Sequence, residues 1–135
     1  MKVAVIDGQG GKMGQMIIER IKSQGLTCEL IAIGTNSIAT SAMLKAGAGS
    51  GATGENAAAV ASRSADVIIG PIGIIAADSL LGEVTPAMAV AIGQSKAKKL
   101  LLPVNLCNNV IVGAGSLPLA KLISQAVEEL AKMMQ

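Results

Sequence analysis

The glycines between Val3 and Ile18 have a spacing that is typical of phosphate-binding turns. This segment reads VAVIDGQGGKMGQMII, an apolar run followed by four glycines and then by apolar residues at helical spacing. Gly8, Gly11 and Gly14 follow one another at intervals of three residues. A strand, a glycine turn and a helix in this order direct backbone N–H groups and the positive end of the helix dipole at an anion. The segment therefore predicts a site for the phosphate groups of a nucleotide or dinucleotide.

Each glycine of this triplet has an expected role. Gly8 permits a tight turn after the strand, Gly11 removes a side chain where a pyrophosphate approaches, and Gly14 lets the helix pack close to the sheet. The carboxylate of Asp7 is expected to bind N–H groups of the turn. In the alternative interpretation the glycines only connect a strand to a helix, as in any doubly wound fold.

Further candidate residues follow from the rule that open α/β sheets bind ligands beyond the carboxyl ends of their strands. After the second strand, Thr35 and Asn36 stand where NAD sites usually have an acid and NADP sites an arginine. They could hydrogen-bond a ribose or a 2′-phosphate, or they could cap the next helix. Because neither residue is charged, the affinity of such a contact should be modest. The glycine turn suggests NAD or NADP as the cofactor, and the sequence leaves another nucleotide open. The expected cofactor-binding residues are Asp7, Gly8, Gln9, Gly10, Gly11, Lys12, Met13, Gly14, Gly34, Thr35, Asn36, Gly70, Pro71, Ile72, Gly73 and Asn105.

The composition excludes several kinds of catalytic site. The chain contains no His, Phe, Tyr or Trp, which removes the imidazole base, the histidine metal ligand and the Ser-His and Cys-His pairs. Acids and bases are limited to Asp, Glu, Lys and Cys, and a bound nucleotide would have aliphatic walls. Cys28 and Cys107 match no metal or redox spacing, so they are predicted to be free core thiols of a cytoplasmic protein. No metal site is predicted, and no catalytic residue is assigned.

Length, charge and hydropathy restrict the partners. A chain of 135 residues is predicted to form a single domain over 1–135. Its net charge of +2 and its lack of aromatic residues argue against nucleic acid, and its longest apolar run is too short to span a membrane. A mean hydropathy of +0.58 predicts a homo-oligomer, with an interface through the C-terminal helix or the segment PIGIIAADSLL. A small anionic molecule is the expected ligand.

Apolar runs alternate with helical patterns along the chain, which predicts an α/β fold. We expect a Rossmann-like three-layer sandwich with a mostly parallel sheet. Only Asn105 to Asn109 separate the strand Leu100–Val104 from the apolar run Val110–Val112. Because a parallel crossover needs about a dozen residues, one antiparallel strand is expected near the C-terminus. Strands are predicted at 3–6, 28–33, 67–69 and 100–104, with a small edge strand near 47–54, and helices at 11–24, 37–46, 55–62, 86–97 and 117–133.

Two resemblances accompany these patterns. The opening segment VAVIDGQGGKMGQMII resembles the start of the dihydrodipicolinate reductases, which implies a cofactor-loop role for Gly8, Gly11, Met13 and Gly14. Over the whole chain, the motifs VIDGQGG, GTNSIATSAMLKAGA, GATGENA, IIGPIGII and GEVTPAMA resemble a family of short bacterial Rossmann-like proteins of unknown function. The second resemblance implies the fold and no activity.

Three functions remain open from the sequence. The first is a small-ligand-binding or sensing module for a nucleotide or another anionic metabolite. The second is an NAD(P)-dependent oxidoreductase whose site is completed by a neighbouring subunit. The third is a structural oligomer without a ligand. The scarcity of acids and bases favours the module over the enzyme, and the glycine triplet argues against the structural oligomer.

Overall fold

The computed structural model describes residues 1–135 and contains five strands and five α-helices. The strands are β1 Lys2–Asp7, β2 Glu29–Gly34, β3 Ser50–Thr53, β4 Val67–Pro71 and β5 Lys98–Leu102. The helices are α1 Lys12–Ser23, α2 Ser37–Ala46, α3 Glu55–Ser64, α4 Pro86–Gln94 and α5 Leu119–Met133, and a short 3₁₀ helix covers Ile72–Ile75. None of these helices is both long enough and apolar enough to cross a membrane.

All five strands form one parallel sheet in the order β3-β2-β1-β4-β5. This order matches the first five strands of the classic Rossmann order 3-2-1-4-5-6, and its topological switch point lies between β1 and β4. In the register of β1 and β2, Asp7 stands opposite Gly34. The turns that follow these two strands therefore begin side by side at the carboxyl edge of the sheet.

The prediction of one antiparallel strand near the C-terminus is wrong. Residues 103–118 form a long connection without a strand between β5 and α5. Val110 and Val112 are 83% and 94% exposed, so the short apolar run that suggested a strand is not part of the core. Asn105, Cys107 and Asn108 have positive φ values, and this left-handed backbone turns the chain away from the sheet. The parallel α/β part of the fold prediction is confirmed.

Two apolar clusters lie on opposite faces of the sheet and account for its three layers. Residues at alternate positions of β1 divide between them: Val3 and Val5 pack with α1, α2 and α5, whereas Ala4 and Ile6 pack with α3 and α4. This is the alternation that a strand requires when both of its faces are buried.

Caps set the bounds of the helices at the carboxyl edge. Asn36 Oδ1 accepts a hydrogen bond from Ala39 N at 2.9 Å and caps α2, which is one of the two roles predicted for it. Thr85 caps α4 in the same way through Met88 N, with a proline at the first helical turn. At the other end of α1, Gly25 has a φ of +68°, as predicted for the glycine that ends that helix.

Candidate functional site

Asp7 stabilises the turn between β1 and α1 through its side chain. Its buried carboxylate accepts hydrogen bonds from Gly8 N and Gly14 N, each at 2.8 Å, which confirms the predicted role of Asp7 in the turn. Burial raises the pKa of Asp7 and the charge of Glu83 adds to this increase, while the hydrogen bonds from Gly14, Gly8 and Met13 oppose it. The net effect is a raised pKa, so this buried position stabilises the protonated form of Asp7 relative to the same group in water.

Backbone N–H groups at the start of α1 are available to a ligand. Gly10 N and Lys12 N donate no hydrogen bond to any protein atom. They flank Gly11, the left-handed N-cap of a helix of 12 residues, so they lie at the positive end of its dipole. Lys12 also has an exposed side chain at the first helical position. This turn can therefore donate hydrogen bonds to an anion.

A cavity of about 240 Å³ opens beside this turn. Its volume lies below the range of about 300–1,000 Å³ that is usual for sites of drug-sized ligands, so it has room for a small group and not for a whole dinucleotide. The cavity brings the predicted turn residues together with the predicted Asn105. Its lining residues are Asp7, Gly8, Gln9, Gly10, Gly11, Lys12, Met13, Leu80, Val104, Asn105 and Leu119.

The glycines of the turn differ in what a side chain would meet. A Cβ at Gly11 would lie 2.7 Å from Ala39 Cα, and a Cβ at Gly14 would collide with Met43 and lie 3.1 Å from Asp7 Cβ. Both glycines therefore allow α1 to pack closely against α2, and Gly14 also allows the predicted approach to the sheet. The missing side chain of Gly11 faces α2, whereas the sequence suggested that it faces a pyrophosphate. A side chain at Gly10 would meet no protein atom within 4 Å, so Gly10 borders the free space.

Glu83 joins this turn to the end of β2. Its Oε1 accepts hydrogen bonds from Gln9 N at 2.8 Å, from Thr35 Oγ1 at 2.7 Å and from Asn36 Nδ2 at 2.7 Å. The other carboxylate oxygen, Oε2, accepts no hydrogen bond from the protein. Burial by itself would raise the pKa of Glu83, but the hydrogen bonds from Thr35, Gln9 and Asn36 bring it below its ordinary value. Glu83 is thus held as a carboxylate at the corner where β2 ends.

No pattern in the sequence predicts a site role for Glu83. It lies 74 residues after Gln9 and 48 after Thr35, and no local pattern connects GEVTPAMA with the end of β2. The one hint in the sequence was a missing residue. NAD sites usually have an acid at the end of the second strand, and this chain has Thr35 and Asn36 there.

The comparison with protein families identifies the chain. The family described as Domain of unknown function (DUF3842) matches residues 2–135. The chain belongs to this family. Neither the curated proteins nor the solved structures gave a significant match. Membership confirms the predicted resemblance of the whole chain to a family of unknown function. The resemblance of the first twenty residues to the dihydrodipicolinate reductases stays a prediction.

The other predicted site residues of this DUF3842 chain do not line the cavity, and they are Gly14, Gly34, Thr35, Asn36, Gly70, Pro71, Ile72 and Gly73. Gly34 is close to Thr40 and Asn36 at the start of α2, and Gly70 is close to the carbonyl oxygen of Ile6 in β1. Pro71 ends β4, and Ile72 and Gly73 begin the 3₁₀ helix. Gly70, Pro71, Ile72 and Gly73 support the carboxyl edge from inside without lining the cavity.

Left-handed backbone is concentrated in the three turns at this edge of the sheet. Seven residues other than glycine have positive φ values, and they are Gln9, Asp78, Leu80, Leu81, Asn105, Cys107 and Asn108. Such conformations cost about 1–3 kcal/mol each and cluster at functional sites in many proteins. Of the two free cysteines, Cys28 is half-buried and Cys107 is exposed in the turn after β5. The predicted core position is therefore wrong for Cys107.

Proposed function

We propose that this protein is a nucleotide-binding module that holds a phosphate group at the start of α1. The observation that carries the proposal is the pair of unpaired N–H groups of Gly10 and Lys12, which flank a helix N-terminus and border an open cavity. Anions bind at such positions because the N–H groups and the helix dipole act together. NAD or NADP is the proposed ligand, with the nucleotide extending from the turn along the carboxyl edge.

The chemistry around the cavity supports binding more than catalysis. Asp7 and Lys12 are the ionisable residues among those that line it, and both carboxylate oxygens of Asp7 already accept hydrogen bonds. An oxidoreductase role remains the alternative, with the acid or base supplied by a neighbouring subunit. We also assign the protein to the cytoplasm, because free cysteines, one of them exposed, suit a reducing compartment.

Replacement of Gly10 by Val tests this proposal. A Cβ at Gly10 would meet no protein atom within 4 Å apart from its chain neighbours, so a valine there would extend into the space beside the unpaired N–H groups, and Gly10 has no positive φ that would strain it. We expect Gly10→Val to lose NADH and ADP binding while its thermal unfolding stays near that of the wild type. Because the chain has no Trp or Tyr, NADH fluorescence can be titrated without protein emission.

Gly93→Val is the matched control. A side chain at Gly93 also meets no protein atom within 4 Å, but Gly93 belongs to the last turn of α4, at the opposite edge of the sheet. Gly93→Val should bind NADH like the wild type. If neither NADH, NADPH nor ADP binds the wild type at millimolar concentration, the proposed function is wrong and the glycine turn is only a connection.

A further inference from the structure

We infer that Glu83 accepts hydrogen bonds from the ribose hydroxyls of the bound nucleotide and disfavours a 2′-phosphate. This inference rests on the proposed function. In Rossmann-type sites a carboxylate at the end of the second strand accepts hydrogen bonds from the ribose hydroxyls. Here the carboxylate at that corner comes from the segment after β4, and Thr35 and Asn36, which follow β2 directly, hold it there.

The three hydrogen bonds of Glu83 leave one oxygen to act on a ligand. Oε1 is fixed by a backbone N–H, a hydroxyl and an amide, so the side chain is already ordered before a ligand arrives. Glu83 is half-buried, which leaves part of it in contact with solvent. Oε2 can therefore accept hydrogen bonds from vicinal hydroxyls, and preorganisation lowers the entropic cost of that contact.

The segment around Glu83 is built to keep this position. Asp78 N donates to Val84 O at 2.7 Å, which closes the ends of the turn that contains Glu83. Leu80 and Val84 are buried, 3% and 1% exposed, and anchor the turn in the core. Ser79 Oγ donates to the carbonyl oxygen of Gly73 and connects the turn to the 3₁₀ helix that follows β4. These contacts hold the turn that carries Glu83 against the core.

A negative charge at this corner discriminates between the two dinucleotides. Ribose hydroxyls donate to a carboxylate, whereas a 2′-phosphate is an anion that the carboxylate repels. A hydrogen bond to a charged acceptor and the loss of that repulsion each change affinity by about 10- to 100-fold. We expect the wild type to bind NADH at least about tenfold more tightly than NADPH.

Titration of the wild type and of Glu83→Gln with NADH, NADPH and inorganic pyrophosphate tests this inference. Glutamine keeps an oxygen for Gln9, Thr35 and Asn36 and removes the charge. We expect Glu83→Gln to weaken NADH binding and to strengthen NADPH binding. Pyrophosphate binding should not become weaker, since pyrophosphate has no ribose. Glu19→Gln is the control, because Glu19 also accepts a side-chain hydrogen bond, from Gln15 Nε2 at 3.0 Å, on an exposed part of α1 away from this corner.

Three results would overturn the inference while leaving the proposed function intact. Equal affinity of the wild type for NADH and NADPH would show that Glu83 does not read the ribose. A parallel loss of pyrophosphate binding in Glu83→Gln would show that Glu83 only supports the turn. Stronger binding of both dinucleotides to Glu83→Gln would show that Glu83 occupies the ribose position and must leave it. Failure of all three ligands to bind the wild type would overturn the proposed function and this inference with it.

The geometry also points to the outer face of α3 and α4 as the surface that binds a second copy of this chain. A groove of about 730 Å³ runs between these two helices, and its lining combines apolar residues such as Ala59, Ala87, Val90 and Ala91 with polar ones that include Arg63 and Lys96. Val60 and Val90 are 49% and 54% exposed. Helix α4 contains no charged residue, whereas the solvent side of α5 carries Lys121, Glu128, Glu129 and Lys132.

The charges of α3 make this face complementary to itself. Glu55, Ala59 and Arg63 lie on one line of the helix at intervals of four residues, so the acid and the base stand about 12 Å apart on either side of a small residue. A two-fold axis at Ala59 would place each Glu55 opposite Arg63 of the partner subunit. This is the isologous arrangement that closed dimers use.

Charge reversal tests this surface by sedimentation at micromolar concentration. We expect a wild-type dimer, weaker dimers in Glu55→Arg and in Arg63→Glu, and recovery in the double variant, because the reversed pair attracts again. Ala59→Glu should give a monomer, and Ala42→Glu, in the groove between α1 and α2, should remain a dimer. A monomeric wild type, or a dimer that none of these changes in α3 weakens, would overturn the assignment.

Discussion

Replacement of Gly11 by Ala should destabilise the fold through two separable effects. Gly11 has a φ of +73°, and an L side chain in this region costs about 1–2 kcal/mol. Its Cβ would lie 2.7 Å from Cα and 2.8 Å from the carbonyl oxygen of Ala39, which are backbone atoms of α2 and cannot rotate away. Overpacking of this kind costs about 1–3 kcal/mol. The sum predicts a loss of about 2–5 kcal/mol in the free energy of unfolding.

Gly25→Ala separates the two effects. Gly25 has a similar φ of +68°, but a side chain there would meet no protein atom within 4 Å. Its substitution should therefore cost only the backbone term of about 1–2 kcal/mol. Urea denaturation followed by circular dichroism measures both variants, since the chain has no Trp or Tyr to report by fluorescence. Equal losses in the two variants would refute the close packing of α1 on α2 at Gly11.

Three further predictions concern the ionisable groups and the turns of the carboxyl edge. Folding lowers the pKa of Glu83, so its contribution to stability is present above its unfolded pKa of about 4.3 and is lost as pH falls through the folded pKa. The stability difference between the wild type and Glu83→Gln, measured by urea denaturation, should therefore shrink from pH 6 to pH 3. Folding raises the pKa of Asp7, so its protonated form contributes stability below an unfolded pKa of about 3.9, and this contribution is lost as pH rises through the folded pKa. The free energy of unfolding of Asp7→Asn should therefore increase relative to that of the wild type as pH rises. A difference that does not depend on pH would contradict this. Leu81 is 96% exposed with a φ of +55°, and Leu81→Asn should raise the free energy of unfolding by about 0.5–1 kcal/mol, because Asn tolerates left-handed backbone; a loss in thermal unfolding would contradict it.

The central strands could be predicted from the sequence because their burial leaves a local signal. In β1, β2 and β4 both faces are buried, and the apolar runs that result were assigned to strands within two residues of their observed bounds. The edge strand β5 was placed about two residues late, because Lys98 and Lys99 hide its start. Lysines on an edge strand protect it from pairing with other chains, so this error has a physical cause.

The contacts that define the candidate site could not be predicted, because they depend on packing between distant segments. Ala39 packs against Gly11, so the missing side chain of Gly11 faces α2 and not a ligand. An acid does stand near the end of β2, but it is Glu83 from a distant segment. The antiparallel strand failed for a related reason. A short gap excludes a parallel crossover, but it does not require Val110–Val112 to pair at all.

The most direct test of phosphate binding at the start of α1 is a ¹H–¹⁵N spectrum of the 13.5 kDa protein recorded during titration with ADP. The N–H groups of Gly10 and Lys12, which are unpaired in the free protein, should gain an acceptor and shift downfield together at one apparent affinity. Amides at the opposite edge of the sheet, such as Gly93, should stay in place. A spectrum in which ADP moves other amides and leaves Gly10 and Lys12 unchanged would contradict the proposed function.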